Sequence, residues 1–283
     1  MAKPGTVDRS LIERVVVGLI CAPLLVWFFW KGSYPFFVFL VFLTAFGQWE
    51  LYRMFDDRLR FPHRIVGFTA GLLIITATFI GYSGYISGII SAAFIFSCVI
   101  EILTGKEHRA ESVILSLFVS VYPALFIAFF LKLSAFPYNL GPVSGQYVLL
   151  FVLFVIWIFD TMSYFSGRKW GRHPFFQSIS PKKTVEGFFG GMTSVVVLAV
   201  AAGIYIDYSY IVHMVVLSVL AALAGQAGDL SVSIIKRDRG VKDSSNLIPG
   251  HGGILDRFDS LFFAGPVSYA YLLLVFRFSG GTL

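Results

Sequence analysis

Residues 146–166 read QYVLLFVLFVIWIFDTMSYFS, an apolar run with one charged side chain, Asp160. About 20 apolar residues cross the hydrocarbon core of a bilayer as a helix, so this run predicts a transmembrane segment. Other runs of the same character give the full set of predicted spans, at about 11–30, 34–52, 65–82, 84–103, 112–133, 146–166, 186–206, 209–235 and 255–276. The sequence therefore predicts an all-α integral membrane protein with about nine transmembrane helices.

The composition supports a lipid environment. The chain is 57% hydrophobic and 13% charged, whereas soluble domains are about 45–50% apolar and about 25% charged. A water-soluble fold of this size has too little interior for so many apolar side chains. Cys21 and Cys98 lie inside apolar runs and offer neither a disulfide framework nor a metal-binding spacing. The net charge of +6 suits loops beside anionic lipid, and without aromatic–basic alternation we expect no nucleic-acid partner.

The basic residues predict the orientation of the chain. If the N-terminus is cytoplasmic, every Lys and Arg except Lys31, Lys132 and Arg277 falls in a cytoplasmic segment. Such asymmetry predicts a cytoplasmic N-terminus and a C-terminus on the opposite side. We expect one polytopic membrane domain over 1–283. Its N-terminal helical part would be 1–150, with about five spans, and its C-terminal part 151–283, with about four.

Acidic side chains within the spans mark a candidate site. An ionisable group at membrane depth is costly and is a functional candidate by default, which singles out Asp160 and Asp229. They precede two long polar loops, about 167–185 and 237–254, which the predicted orientation puts on the cytoplasmic side. Long loops carry function more often than short ones.

Other acids lie at the ends of spans. Asp256 and Asp259, at i and i+3, project together from the start of the last helix. Pure capping is the alternative there, but the unusual preceding loop favours a functional pair. Glu50 and Glu101 lie near cytoplasmic helix ends. We interpret these two as capping residues or as acids that snorkel toward water.

Residues 236–259 are rich in residue types that bind phosphate and metal. They include five cations, four carboxylates, His251 and four glycines. Lys and Arg bind phosphates, Asp oxygens suit Mg²⁺, and a helix N-terminus adds positive potential where a phosphate can sit. The pattern predicts a polyphosphate bound through a metal. In the other loop, Arg168, Lys182 and Lys183 predict a second phosphate contact, although cytoplasmic loops are ordinarily basic.

The same segment carries a long motif. From Ser233 it reads Ser-x-apolar-Lys-Arg, followed by Lys-Asp at 242–243, Ser245, Ile-Pro at 248–249 and His-Gly-Gly-Ile-x-Asp-Arg-Phe-Asp at 251–259. This motif resembles the signature of the phosphatidate cytidylyltransferase family, also called CDP-diacylglycerol synthases. The resemblance is strong over about 155–262, and over the first 150 residues it is limited to hydropathy and length.

Two shorter segments add to the resemblance. SPKKTVEG at 180–187 resembles a second motif of that family. Asp160 with Ser163 resembles the acidic helix that precedes it, although Thr161 and Met162 depart from the pattern.

The resemblance implies a reaction. CTP and phosphatidic acid would give CDP-diacylglycerol and pyrophosphate in phospholipid biosynthesis, with Mg²⁺ required and room for a second cation. The lipid phosphate would attack the α-phosphorus of CTP in line, a transfer that depends on positioning and charge neutralisation. The short chain and the lack of a targeting segment favour a multi-pass protein of a bacterial inner (plasma) membrane over one of an organellar membrane. The Lys and Arg asymmetry puts the active site at the cytoplasmic face of the lipid bilayer.

The resemblance also suggests residue roles. The expected metal ligands are Asp229, Asp256, Asp259 and Asp160. The expected catalytic residues are Asp229, Lys236, Asp243, His251, Asp256 and Asp259. The expected substrate-binding residues are Arg168, Lys182, Lys183, Thr184, Ser233, Arg237, Lys242 and Arg257. Within these sets, Lys236, Arg237 and Lys242 would hold the triphosphate, and His251 would orient or protonate a phosphate oxygen.

Other classes of protein fit less well. A secondary transporter would have acids near the bilayer midplane and paired broken helices, whereas the acids here crowd one side and no inverted repeat is visible. A CDP-alcohol phosphotransferase would resemble a different aspartate motif, which this chain lacks. A non-catalytic scaffold leaves four acids in a cation-rich loop unexplained. Small-residue faces are compatible with a homodimer.

Overall fold

The computed structural model describes residues 9–59, 61–104, 109–136, 144–248, 250 and 252–278, with side chains from Val16 onward. The described residues form nine α-helices: α1 Arg9–Lys31, α2 Ser33–Met54, α3 Phe61–Phe79, α4 Ile86–Thr104, α5 Arg109–Ser134, α6 Gly145–Trp170, α7 Val185–Ile206, α8 Ile211–Asp238 and α9 Leu255–Phe278. Among these residues the only β-type pairings are two isolated bridges, Pro174–Thr184 and Ile248–Gly252. The all-α prediction is confirmed for this part of the chain.

A helix lies at each of the predicted spans. Eight helical segments are long and apolar enough to cross a bilayer, and they correspond to α2–α9. In α1 the apolar segment with described side chains, Val16–Lys31, is shorter. The chain is therefore a polytopic helical membrane protein, and the side on which each terminus lies stays a prediction.

The helices form two compact units. The first comprises Met1–Leu131 with Arg239–Arg257, and the second comprises Lys132–Asp238 with Phe258–Leu283. The polar segment Arg239–Arg257 belongs to the first unit, whereas the sequence grouped it with the C-terminal part. The prediction of one polytopic domain with parts at 1–150 and 151–283 stays a prediction.

Buried hydrogen bonds centre the first unit on α2. The Gln48 amide donates to Gly67 O in α3 and to Ser120 O in α5, both at 2.9 Å. The Tyr52 hydroxyl donates to His63 O, also at 2.9 Å. In an apolar surrounding an unpaired polar group is costly, so these bonds fix how α2 packs on its neighbours.

A second buried polar contact joins α3 to α4. His63 Nε2 and Glu101 Oε1 lie 2.7 Å apart, and both side chains are almost fully buried. The sequence predicted that Glu101 caps a helix or snorkels to water, and the structure shows neither. Glu101 bonds the imidazole of a neighbouring helix instead.

Close approach between helices shapes the second unit. A Cβ on Gly187 in α7 would lie 2.7 Å from Ser163 O in α6. A Cβ on Gly228 in α8 would lie 2.3 Å from Asp259 O in α9. Such small residues let transmembrane helices pack backbone to backbone. This packing brings the acidic residues of α6, α8 and α9 near one another.

Candidate active site

The second unit contains a cavity of about 400 Å³. It is formed by α6, the start of α7, α8 and the loop between α6 and α7. The predicted site residues that line it are Asp160, Arg168, Lys182, Lys183, Thr184 and Asp229. The structure thus gathers acids and cations from three separate segments of sequence around one space.

An ion pair lies within this cavity. Lys183 Nζ donates to Asp229 Oδ2. The Ser233 hydroxyl donates to Asp229 Oδ1 at 3.4 Å, one turn further along α8. Both charged groups remain accessible, with side chains 26% and 27% exposed. The carboxylate is therefore held in place while still open to the cavity.

More charged residues surround the pair. Asp160 lies within electrostatic range of Asp229 and Lys183. Asp259, which is buried, lies within range of Asp229, Asp160 and Lys236. This group brings three carboxylates against two ammonium groups. Carboxylates and cations therefore lie side by side in this unit.

The acidic side chains of this unit are candidate ligands for a magnesium ion. No group of three or more His, Cys, Asp or Glu side chains is arranged as a metal cage within the described ranges. Magnesium at phosphate-transfer sites commonly takes only one or two protein carboxylates and completes its shell with water and substrate phosphates. Asp160 and Asp229 line the same cavity and fit this way of binding magnesium. The four metal-ligand assignments stay predictions.

The loop between α6 and α7 is held in a defined shape. Phe175 N donates to Lys183 O at 2.8 Å, and Val185 N donates to His173 O at 2.9 Å. The Thr184 hydroxyl accepts from Gly187 N at 3.1 Å and so caps α7. Lys182 and Lys183 are thereby directed to the cavity. Thr184 has a structural task there besides its predicted contact with substrate.

The remaining predicted residues of this unit lie on helix ends. Lys236 and Ser233 are buried on α8, whereas Arg237 is exposed in its last turn. Arg168 Nη1 donates to the Tyr164 hydroxyl at 3.3 Å, at the end of α6.

In the first unit, Asp256 organises the segment 239–257. Its Oδ2 accepts from Ser244 N at 2.8 Å, from the Ser244 hydroxyl at 3.0 Å and from Gly253 N at 2.9 Å. Lys242 and Asp243 are exposed on this loop, and Arg257 is exposed on the first turn of α9. His251 and Pro249 lie outside the described residues. Asp256 thus has a clear role in shaping the loop, and its metal role stays a prediction.

Glu50 is a residue whose importance the sequence analysis missed. It is fully buried near the end of α2. Oε1 accepts from Ser245 Oγ at 2.6 Å and from Ile254 N at 2.7 Å. Oε2 accepts from Ser244 Oγ at 2.9 Å and from Leu255 N at 2.7 Å. Glu50 does cap a helix, which was one of the two roles predicted for it. That helix is α9, whose Leu255 is 205 residues further along the chain.

This contact bears on the phosphate that the sequence predicted near a helix end. The residue pattern predicted that a helix N-terminus adds positive potential where a phosphate can sit. In the structure the N–H groups of Ile254 and Leu255 bind the Glu50 carboxylate, which supplies the negative charge that the helix end favours. These two N–H groups are bonded within the protein, and a phosphate contact near this helix end stays a prediction.

The C-terminal end of α2 also holds the other end of the loop. Arg239 Nε donates to Met54 O at 2.8 Å, and its guanidinium pairs with Asp57. The Arg239 guanidinium also lies 5.2 Å from the centre of the Phe55 ring. Both ends of the segment 239–257 are therefore anchored to α2 or to the turn that follows it.

These features describe a polytopic membrane protein with charged sites built from helix ends. The chain belongs to the cytidylyltransferase family, whose sequence pattern matches residues 12–275. It is 31% identical over 275 residues to the phosphatidate cytidylyltransferase of Bacillus subtilis strain 168, which covers 93% of this chain and 97% of that protein. The family resemblance inferred from residues 233–259 is confirmed.

Other relatives match over shorter stretches. The phosphatidate cytidylyltransferase of Aquifex aeolicus is 40% identical over 164 residues, which are 58% of this chain and 59% of that protein. That of Haemophilus influenzae is 41% identical over 159 residues, 53% of this chain and 54% of that protein. In these alignments the chain spans little more than half the length of each relative.

Proposed function

We propose that this protein is a phosphatidate cytidylyltransferase, a nucleotidyltransferase that converts CTP and phosphatidic acid to CDP-diacylglycerol and pyrophosphate. The observation that carries the proposal is the Lys183–Asp229 pair in a cavity that Asp160, Lys182 and Arg168 also line. Cations that bind phosphate and acids that bind a metal lie side by side there. The relative in Bacillus subtilis, similar over almost its whole length, supports this assignment.

The reaction needs little from the protein besides position and charge. An oxygen of the lipid phosphate forms a bond to the α-phosphorus of CTP, and the bond from that phosphorus to the pyrophosphate oxygen breaks. A phosphomonoester is already ionised near pH 7, so it needs no strong general base. The work left for the chain is to bring two anionic substrates together, which depends on fixed positive groups.

The lysines of the cavity supply such groups. An ammonium carries three protons, so Lys183 can donate to a phosphate oxygen while it remains bonded to Asp229. Lys182 and Arg168 line the same space and would bind further phosphate oxygens. Lys236, Arg237 and Lys242 would hold the triphosphate or the departing pyrophosphate, with Ser233, Thr184, Asp243, Arg257 and His251 as further predicted contacts.

The site would take Mg²⁺ as its cofactor. Asp160 and Asp229 would hold the ion in the cavity, with Asp259 and Asp256 as the other predicted ligands. When bound, the ion neutralises charge on the phosphate oxygens. The three carboxylates of the second unit leave room for a second cation.

We also infer the location of the site. The protein would lie in the bacterial plasma (inner) membrane with its N-terminus in the cytoplasm and its C-terminus outside. Both polar loops would then face the cytosol, where CTP is found, and the lipid phosphate would lie at the depth of the helix ends. A homodimer stays a prediction.

The proposal is tested by pyrophosphate release. Purified protein in detergent is given CTP, phosphatidic acid and Mg²⁺, and each component is omitted in turn. We expect release only when all three are present. If folded protein releases no pyrophosphate from the complete mixture, the assignment is wrong and a different lipid-phosphate acceptor, and then transport, become the better hypotheses.

A further inference from the structure

We propose that Glu50 is a positioning residue for the transfer reaction, because it holds the segment 239–257 and the first turn of α9 in one arrangement. The inference rests on the proposed function, since that segment carries Lys242, Asp243, Asp256 and Arg257. Glu50 lies in the half of the chain where the sequence motif gave no functional residue.

Both carboxylate oxygens of Glu50 have hydrogen-bond donors around them. Each carboxylate oxygen accepts one backbone N–H from Ile254 or Leu255 and one hydroxyl from Ser244 or Ser245. A carboxylate that is fully buried is tolerated only when hydrogen bonds replace its water. Ile254 N, Leu255 N and the Ser245 hydroxyl donate to this carboxylate, and the Ser244 hydroxyl lies between it and Asp256. Any shift of the loop would leave the group short of partners.

Ser244 links Glu50 to Asp256. The Ser244 hydroxyl lies 2.9 Å from Glu50 Oε2 and 3.0 Å from Asp256 Oδ2, while its backbone N–H donates to Asp256. A hydroxyl has one proton, so the two carboxylates share one donor. Glu50 thus acts on the position of Asp256 through Ser244.

The segment approaches this carboxylate closely at Gly253. A Cβ on Gly253 would lie 2.0 Å from Ser244 Oγ and 2.3 Å from Glu50 Oε1. The chain at Gly253 therefore closes directly over the group. A glycine here follows from the burial of Glu50, which gives a physical reason for one residue of the motif.

The test compares Glu50→Gln with Glu101→Gln. Glu101 is a matched control because it is also a buried glutamate near a helix end of the first unit, and its described hydrogen bond goes to His63. The glutamine at position 50 would turn an NH₂ group toward a backbone N–H that needs an acceptor. Lost hydrogen bonds to a charged group predict a rise in KM for CTP of about tenfold or more.

KM separates positioning from simple loss of folded protein, because a smaller active fraction lowers the maximal rate and leaves KM unchanged. We expect Glu101→Gln to lower thermal stability with KM for CTP within about twofold of wild type. An unchanged KM in Glu50→Gln, or an equal change in both variants, overturns the proposal.

Hydrogen exchange provides a readout independent of activity. We expect faster exchange of the amides of 253–255 in Glu50→Gln and unchanged exchange there in Glu101→Gln. If wild type lacks pyrophosphate release, the proposed function fails, and exchange alone decides whether Glu50 holds the loop. If Glu50→Gln does not fold, Ser245→Ala removes one of the four bonds to Glu50, together with the acceptor of Leu247 N, and should give smaller effects of the same sign at 253–255. Unchanged KM and exchange in that variant would also overturn the proposal.

Discussion

Lys183, in the loop before α7, donates a hydrogen bond to Asp229 in the middle of α8, 46 residues further along the chain. About a quarter of each side chain remains exposed. An ion pair as accessible as this contributes only about 0–1 kcal/mol to stability. The position of this ion pair is better explained by ligand binding than by a contribution to stability, because the pair presents a cation and a carboxylate to the same cavity.

Replacement of Asp229 tests the acidic side of the pair. We expect Asp229→Asn to lower turnover by about 100-fold or more, because it removes a charge beside the reacting phosphates. The free energy of unfolding should change by about 1 kcal/mol or less. Pyrophosphate release and thermal unfolding measure the two effects.

Asp207→Asn is the matched control for this variant. Asp207 lies in the same unit between α7 and α8, where its Oδ1 accepts from Ser209 N at 2.8 Å. That hydrogen bond holds the pKa of the Asp207 carboxyl below its usual range. Its replacement should leave turnover near normal. Normal turnover in Asp229→Asn itself would remove Asp229 from the site.

Replacement of Lys183 tests the basic side. We expect Lys183→Met to raise KM for CTP or phosphatidic acid by about tenfold and to lower kcat, since a charge-assisted bond to phosphate is lost. Lys169→Met is the control, because Lys169 is an exposed lysine in the last turn of α6 whose Nζ lies 4.7 Å from the centre of the Trp170 ring. Equal steady-state constants for the two variants would argue against a phosphate contact at Lys183.

The sequence predicted the helices well because hydropathy is a local property. It also singled out Asp160 and Asp229, since a charge inside an apolar run is visible without a structure. The partners of these acids were not predictable in the same way. Lys183 meets Asp229 only after α7 and α8 have packed, so its separation along the chain hides the contact.

In the first unit, too, the partners of an acidic residue were not predictable from the sequence. Glu50 was visible as an acid at a helix end, but the N–H groups it binds belong to Ile254 and Leu255. Capping is usually sought within a few residues, and no local rule connects these positions. A phosphate near the start of α9 stays a prediction, and the sequence could not reveal the Glu50 carboxylate that binds the N–H groups of Ile254 and Leu255.

The packing of α6 on α7 gives a prediction about stability. A Cβ on Gly187 would lie 2.7 Å from the backbone oxygen of Ser163, which cannot move without moving its helix. We expect Gly187→Ala to lower the free energy of unfolding by about 1–3 kcal/mol. It should also lower activity, since Gly187 lines the cavity.

Gly88→Ala provides the comparison. Gly88 is a glycine of α4 with nothing among the described residues within 4 Å of an added Cβ. Alanine favours a helix over glycine by about 0.8–1.0 kcal/mol, so this variant should be as stable as wild type or more so. Thermal unfolding in detergent measures both. Equal stability of the two variants would contradict the close approach of α6 and α7.

The orientation of the chain gives the last prediction, which rests on the distribution of Lys and Arg. Lys169 at the end of α6 should face the cytoplasm, and Asp207 after α7 should face the opposite side. Single cysteines at these exposed positions report their side when Cys21 and Cys98 are replaced by serine. A membrane-impermeant maleimide applied to intact cells should label Asp207→Cys and should label Lys169→Cys only after the membrane is opened. The reverse pattern would put Lys182 and Lys183 on the side away from cytosolic CTP, and the proposed reaction would then lack its nucleotide substrate at this cavity.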